Sequence, residues 1–439
     1  MPRGDGPREA GLSAGHASGQ TAAGAPLPPT NGLGEGASSR SGGKAPKARK
    51  GRRRRRRGPV FARGVETGNL SPGDLDPAPG PGPGEPLAGD RVQRHATVEG
   101  PFYGALDLGT NNCRLLVAMP REHGFRVVDA FSRIVRLGEG IGANGRLGEA
   151  AMVRAIEALK ICGGKLAERN VARVRMIATE ACRAAENGEA FIARVLEETG
   201  LALEIVSREA EARLAVAGCA SLVDTSAAGV ILFDIGGGSS ELVWIDLTPA
   251  ADGRRRRMAD RIRSWMSLPV GVVNVSERHG GRHVTPDGFA LMVDEVAAMV
   301  ADFPDGTALD AAVAAGGVHM LGTSGTVTTL AGIHLGLPRY DRRRVDGTWL
   351  AGARVAELIA ELATMDYAAR VANPCIGRER ADLVLAGCAI LEAIRRRWPC
   401  ERLRVADRGL REGVLVELMS EDGVWRPRSS RRSGDRLHG

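Results

Sequence analysis

One short pattern occurs twice in this chain and limits the folds open to it. "LDLGTNNCRLLVA" (106–118) and "FDIGGGSSELVWI" (233–245) share a strand, an Asp-x-Gly turn and an apolar run, 127 residues apart. Asp107 aligns with Asp234, Gly109 with Gly236, Arg114 with Glu241, and the run Leu115–Ala118 with Leu242–Ile245. Apolar residues on both sides of a polar turn read as two strands joined by a loop. Two such units at this spacing imply two related halves, each opening on one hairpin. Glycine weakens a strand, so the three glycines at 236–238 mark a tight turn or a close approach of backbone to a ligand.

The sequence around the hairpins alternates strands with helices. "FRVVDAFSRIVRLG" (125–138) reads as a strand pair, and 148–170 has helical spacing through Met152, Ile156, Leu159 and Leu166. A strand "VRMIAT", a helix "NGEAFIARVLEETG", a strand "LEIVS" and a helix from about Arg208 to Ala220 follow. After the second hairpin, "GGVHMLGTSGTVTTLAGIHLG" runs from strand through a Gly/Thr/Ser loop into a helix, and "RLRVAD" precedes a last helix "LREGVLVELM". Such alternation argues for α/β layers. The expected organisation is a Gly/Pro/Arg-rich tail (1–98), a first domain (99–226), a second domain (227–420) and a frayed end (421–439).

Net charge is confined to one end. Residues 1–98 hold sixteen Lys/Arg and eight Asp/Glu, and their net of +8 equals that of all 439 residues. The body is therefore neutral, which argues against a nucleic-acid-binding surface there. The tail reads as disordered from its Gly, Pro and Ser content. Its run "KAPKARKGRRRRRRG" (44–58) carries ten basic residues in fifteen, enough for weak binding to a polyanion by charge alone. Seven scattered cysteines show no metal or disulfide spacing, no apolar stretch is long enough to span a membrane, and no signal-peptide core is present. The expectation is a cytoplasmic protein.

Three loops rich in Gly, Ser, Thr and Asn can offer backbone N–H groups and hydroxyls to an anion. They are Gly109, Thr110, Asn111 and Asn112; Gly236, Gly237, Gly238, Ser239 and Ser240; and Gly322, Thr323 and Ser324. None fits the Walker pattern. Asp107, Asp234 and Glu241 supply oxygens suited to a hard cation such as Mg²⁺, although an aspartate at a strand end can equally cap its own turn. Glu209 and Glu211 fall in the first turns of a helix whose N-cap is Ser207, where the helix dipole alone favours carboxylates. Arg183 can pair with phosphate or with a neighbouring carboxylate.

These segments, in this order, resemble the exopolyphosphatase and guanosine pentaphosphate phosphatase family of the actin-like, sugar-kinase-like superfold. The resemblance rests on "ALDLGTNNCRLLV", "RLGEGIGANGRL", "IATEACRAAENGEAF", "SREAEARL", "FDIGGGSSEL", "LGTSGTVTTLA", "ERADLVLAGCAIL" and "ADRGLREGVL", and spans about residues 102–418. It implies two actin-like α/β domains around a cleft, with the last helix crossing back to the first domain. It also implies Mg²⁺-dependent removal of the terminal phosphate of polyphosphate or guanosine pentaphosphate. Glu211 would then be the general base, Asp107, Asp234 and Glu241 would serve magnesium and phosphate, and Arg114 and Arg183 would contact the phosphate chain. A homodimer is a family-level expectation. Within the pattern, Glu180 stands where serine is usual, Arg208 where glycine is usual, and Ala210 where a carboxylate is common. A non-catalytic regulator that binds an alarmone or polyphosphate is the alternative reading.

Overall fold

Strand alternation decides which face of each sheet meets the other half of the molecule. The computed structural model describes residues 101–249 and 257–425; the basic run 44–58 and residues 426–439 lie outside the described residues. The first sheet comprises β1 (Tyr103–Leu108), β2 (Asn112–Pro120), β3 (Phe125–Ile134), β4 (Arg173–Ala178) and β5 (Glu204–Ile205), in the order β3-β2-β1-β4-β5. The second comprises β6 (Gly229–Ile235), β7 (Ser240–Asp246), β8 (Ile262–Leu268), β9 (Val318–Thr323), β10 (Trp349–Ala351) and β11 (Arg402–Ala406), in the order β10-β11-β9-β6-β7-β8. Apart from the added edge strand β10, the second order repeats the first.

The sequence repeat is thus a repeat of structure. In each half, three antiparallel strands lead and two parallel ones complete the sheet. Asp107 lies opposite Arg114 in one hairpin and Asp234 opposite Glu241 in the other. Each turn is closed the same way: the Gly109 N–H donates to the Asn112 carbonyl at 2.9 Å, and the Gly236 N–H to the Ser239 carbonyl at 3.0 Å.

With a period of two along a strand, Leu106, Leu108, Leu115 and Val117 face outward into a core shared with the helix Glu149–Glu168. Tyr103, Ala105, Leu116 and Ala118 face inward, onto Leu410, Val414, Leu415 and Leu418 of the last helix, Leu410–Glu421. In the second sheet Val230, Leu232, Val243 and Ile245 face inward onto Ala212, Ala215, Val216 and Cys219 of the helix Arg208–Cys219. The two helices Arg208–Cys219 and Leu410–Glu421 pack on each other and lie between the sheets. Asp107 and Asp234, in phase with the inward residues, are carried to the same interface.

Two sequence expectations are corrected. Residues 125–138 form one strand, β3, rather than a pair. The apolar residues that read as a second strand, Val135 and Leu137, are fully buried, but their backbone turns to brace the first hairpin loop. The Val135 N–H donates to the Asn111 carbonyl and the Gly138 N–H to the Thr110 carbonyl, both at 2.9 Å. Residues 421–425, expected to fray, are packed. Tyr103 donates to Asp422 at 2.8 Å, the Trp425 indole donates to the Arg121 carbonyl at 2.9 Å, and Val424 and Trp425 pack on the inward face of the first sheet. Apolar side chains there extend the cover that the helix Leu410–Glu421 gives this sheet face.

The close approach of the two inner helices depends on glycine. A Cβ at Gly218 would lie 1.9 Å from the Gly409 carbonyl oxygen, and one at Gly413 would lie 2.0 Å from that of Leu214. Backbone cannot yield as a side-chain tip can. Gly413→Ala is therefore expected to cost about 3 kcal/mol, seen as a Tm loss of several degrees in calorimetry. Gly164→Ala, in a helix where a Cβ would meet nothing within 4 Å, serves as the control and should not lower Tm. Equal behaviour of the two variants would refute the packing argument.

Candidate active site

The cleft opens where the two hairpin turns and the start of the helix Arg208–Cys219 converge. Asp107, Asp234 and Glu211 line it, together with Gly109–Asn112, Gly236–Ser239, Thr323 and Ser324. The helix that brings Glu211 begins at Ser207, whose side chain accepts the Ala210 N–H at 3.2 Å, the cap its sequence predicts. Glu209 is absent from the cleft lining, whereas Glu211, two residues on and rotated by about 200°, is buried in it.

The glycine run has a steric reason visible in the structure. A Cβ at Gly237 would lie 2.9 Å from Thr110 Cβ, and one at Gly238 would lie 2.9 Å from Thr110 Oγ1. On its other side Thr110 presses on Gly138, where a Cβ would stand 2.2 Å from its methyl carbon. The loop of one half thus seats a threonine against bare backbone of the other. Gly236, for its part, sits in the tight turn, where a Cβ would lie 2.8 Å from the Ser239 carbonyl. Farther out, Arg136 pairs with Asp382 at 3.1 Å and the Gly140 N–H donates to Glu277 at 3.0 Å, so the same segment also ties the halves at the cleft's rim.

Acid and base are crowded here. Burial lifts the Asp234 carboxyl to about 6, against the pull of Arg114 and with the push of Asp107. Burial likewise raises Asp107, opposed by Arg114 and Arg411. Glu211 is raised well above the usual carboxylate range by burial and then by Glu241, while Arg183 draws it down. Glu241 is raised by burial and by Asp234. The Glu211 carboxylate accepts from Arg183 Nη2 at 3.0 Å through Oε2, and its Oε1 has no partner among the described residues.

The structure separates the sequence-predicted residues into two groups. Gly109, Thr110, Asn111, Asn112, Arg114, Gly236, Gly237, Gly238, Ser239, Thr323 and Ser324 line the cleft. Ser324 does so at φ 80, a backbone region costly for any residue with a side chain, and its hydroxyl is anchored on the Ile235 carbonyl at 2.6 Å. Four other candidates do not line it. Glu241 lies behind Ser239, accepting hydroxyls from Ser239 at 2.8 Å and Ser267 at 3.0 Å. Ser240 donates to the Val270 carbonyl at 2.7 Å, and Gly322 makes room for the Phe233 ring. Arg183 is engaged by Glu180, Glu211 and the Val206 carbonyl.

Sequence reasoning missed Arg380 and Arg411, which also line the cleft and have no ion-pair partner among the described residues. Both stand inside conspicuous blocks, "ERADLVLAG" and "DRGLREG". Their neighbour Arg408 is occupied by Asp346, and Arg342 by Glu412 at 2.6 Å. The N-terminus of the helix Gly325–His334, with no side-chain cap, also opens on the cleft at Gly325 and Thr326. Helix N–H groups without a side-chain cap and guanidinium groups without an ion-pair partner among the described residues are the donors that suit an anion.

Comparison with known proteins agrees with this chemistry. Residues 116–422 match the family model described as the Ppx/GppA phosphatase family. The chain belongs to that family. It is accordingly a phosphohydrolase. Among its relatives, Exopolyphosphatase 2 of Mycobacterium tuberculosis (strain H37Rv) is 28% identical over 328 residues, covering 72% of this chain and 97% of the relative. The guanosine-5'-triphosphate,3'-diphosphate pyrophosphatase of Photobacterium profundum is 27% identical, covering 73% of this chain and 60% of the relative. The crystal structure of the Aquifex aeolicus Ppx/GppA family member superposes with a TM-score of 0.58 at 27% identity, covering 73% of this chain and 98% of that one. The fold is the two-domain, actin-like α/β arrangement of that family.

The buried carboxylates make stability depend on pH in a definite direction. Asp234 binds its proton more tightly in the fold, with a pKa of about 6, than in the unfolded chain, at about 3.9. Its stabilising contribution is full below the lower value and is lost as pH rises through the upper one. Asp234→Asn removes this titration. The Tm of the variant minus that of the parent is expected to grow between pH 4 and pH 7, by an amount equivalent to about 2–3 kcal/mol. A difference independent of pH would contradict the burial argument.

Proposed function

We propose that the chain removes the terminal phosphate from inorganic polyphosphate or guanosine pentaphosphate, with Mg²⁺ held beside the substrate. The observation that carries this reading is the posture of Glu211. One carboxylate oxygen is fixed by Arg183 while the other is left to the cleft, between two Asp-x-Gly turns that present backbone N–H groups. A carboxylate with a raised pKa is a competent acceptor for a proton from water near neutral pH.

In this reaction a water oxygen attacks the terminal phosphorus as its proton passes to Glu211. The bond from that phosphorus to the bridging oxygen breaks, releasing inorganic phosphate and a substrate shorter by one phosphate. Backbone N–H groups of the 236–239 loop and of the helix start at Gly325–Thr326, with the guanidinium groups of Arg114, Arg380 and Arg411, offset charge on the phosphate oxygens.

Asp107 and Asp234 are the residues that would hold magnesium. Among the described residues, no three His, Cys, Asp or Glu side chains gather as a metal cage. Two desolvated carboxylates at the cleft fit an ion that takes one or two protein ligands and completes its shell with water and phosphate. A bound Mg²⁺ would add charge neutralisation on the substrate's oxygens. The relatives named for the two substrates are the support for both, since each substrate ends in the same phosphoanhydride.

The test is phosphate release by the full chain with Mg²⁺, from short polyphosphate, long polyphosphate, guanosine pentaphosphate and ATP in parallel. Release from polyphosphate or guanosine pentaphosphate is expected. Glu211→Gln should lower kcat at least tens-fold, with KM changed little. Turnover near that of the parent in this variant would remove Glu211 as the base.

A further inference from the structure

Glu211 does not stand alone against Arg183. Glu180 and Arg183 are three residues apart on the helix Glu180–Ala184, and Arg208 and Glu211 are three apart on the helix Arg208–Cys219. Side chains at that spacing share a helix face, so each helix presents one acid and one base to the other. The four form a chain of alternating charge. Arg208 Nη2 donates to Glu180 Oε1 at 2.8 Å, and Glu180 Oε2 accepts from Arg183 Nε at 2.9 Å and from Arg183 Nη2 at 2.6 Å. Arg183 Nη2 then donates to Glu211 Oε2 at 3.0 Å, while Arg183 Nη1 is fixed on the Val206 carbonyl at 2.6 Å.

In consequence the Arg183 guanidinium has no freedom to rotate. Its side chain is 16% exposed and that of Glu180 is 9% exposed, so water does not substitute easily for either partner. We infer that Glu180 is a positioning residue for hydrolysis, locking Arg183 so that the Glu211 carboxylate is held in one orientation toward the attacking water. Arg208 fixes the other oxygen of Glu180 and completes the lock from the base's own helix. Without Glu180, Arg183 keeps its carbonyl anchor but gains rotational freedom at the nitrogens that reach Glu211. A carboxylate displaced by a fraction of an ångström loses turnover more than binding, because its contact is with the water and not with the substrate.

This inference rests on Glu211 being the base, and the experiment separates the two ideas. Phosphate release from short polyphosphate and from guanosine pentaphosphate, with Mg²⁺, is measured for Glu180→Gln, Glu211→Gln and the double variant. Glu180→Gln is expected to lower kcat about ten-fold with KM within about two-fold, and to have no further effect when Glu211 is already glutamine. Arg208→Gln, at a side chain 42% exposed and thus safer for folding, should lower kcat by a smaller factor, again only while Glu211 is present. A raised KM with kcat unchanged would overturn the inference in favour of substrate contact by Glu180. Losses that multiply in the double variant would overturn it in favour of an independent role. If Glu211→Gln keeps parental turnover, the reading of the base itself has failed.

Discussion

Acidic groups gathered out of water repel one another, and much of the cleft is arranged around that cost. Asp107, Asp234, Glu211 and Glu241 all have raised affinity for protons, with burial as the leading cause. A cluster of this kind stays in place only if cations and donors meet it from several directions. Arg114 comes from the neighbouring strand, Arg183 from the short helix after β4, Arg411 from the last helix, and Ser239 and Ser267 from the second sheet. Each of these elements is constrained by the charge it serves. The same arrangement sets buried carboxylates beside Arg380 and Arg411, which have no ion-pair partner among the described residues.

Much of this was legible from residue order. The paired Asp-x-Gly turns announced two homologous halves, and the period of two along each hairpin is what places Asp107 and Asp234 on inward faces. The Ser207 cap and the helix it opens were likewise readable, because both depend on neighbours a few residues away. Contacts between distant segments were not. Glu241 shares the Asp-facing register, yet its retreat behind Ser239 depends on Ser267, from a strand that only the sheet brings alongside. Arg380 and Arg411 reach the cleft through elements more than a hundred residues from the hairpins they serve. Val135 and Leu137 carried a strand-like pattern because burial, and not strand pairing, selected their apolar side chains.

The two halves repeat a topology without repeating a role. At matched register the first hairpin carries a cation, Arg114, and the second an anion, Glu241. The first loop contributes a side chain, Thr110, and the second the bare backbone that receives it. Complementarity of this sort lets two hairpins of the same topology meet loop to loop, although Asp107 still pushes on Asp234 across the interface. The helix Arg208–Cys219 between them carries Glu211 to the cleft on its first turn and meets Gly409 through Gly218 near its other end.

The return of the chain's last helix to its first sheet has a consequence for biosynthesis. The inward face of β1 and β2, with Tyr103, Ala105, Leu116 and Ala118, is covered chiefly by Leu410, Val414, Leu415 and Leu418. Those covering residues are made about three hundred residues after the strands they cover, so the inward face of the first sheet stays open while the intervening chain is translated. Its outward face can already pack on the helix Glu149–Glu168. Domains usually mature in the order of their synthesis; here the earlier half must wait, with an apolar sheet face bare to solvent or to a chaperone, until the helix Leu410–Glu421 arrives and Tyr103 donates to Asp422 just beyond it.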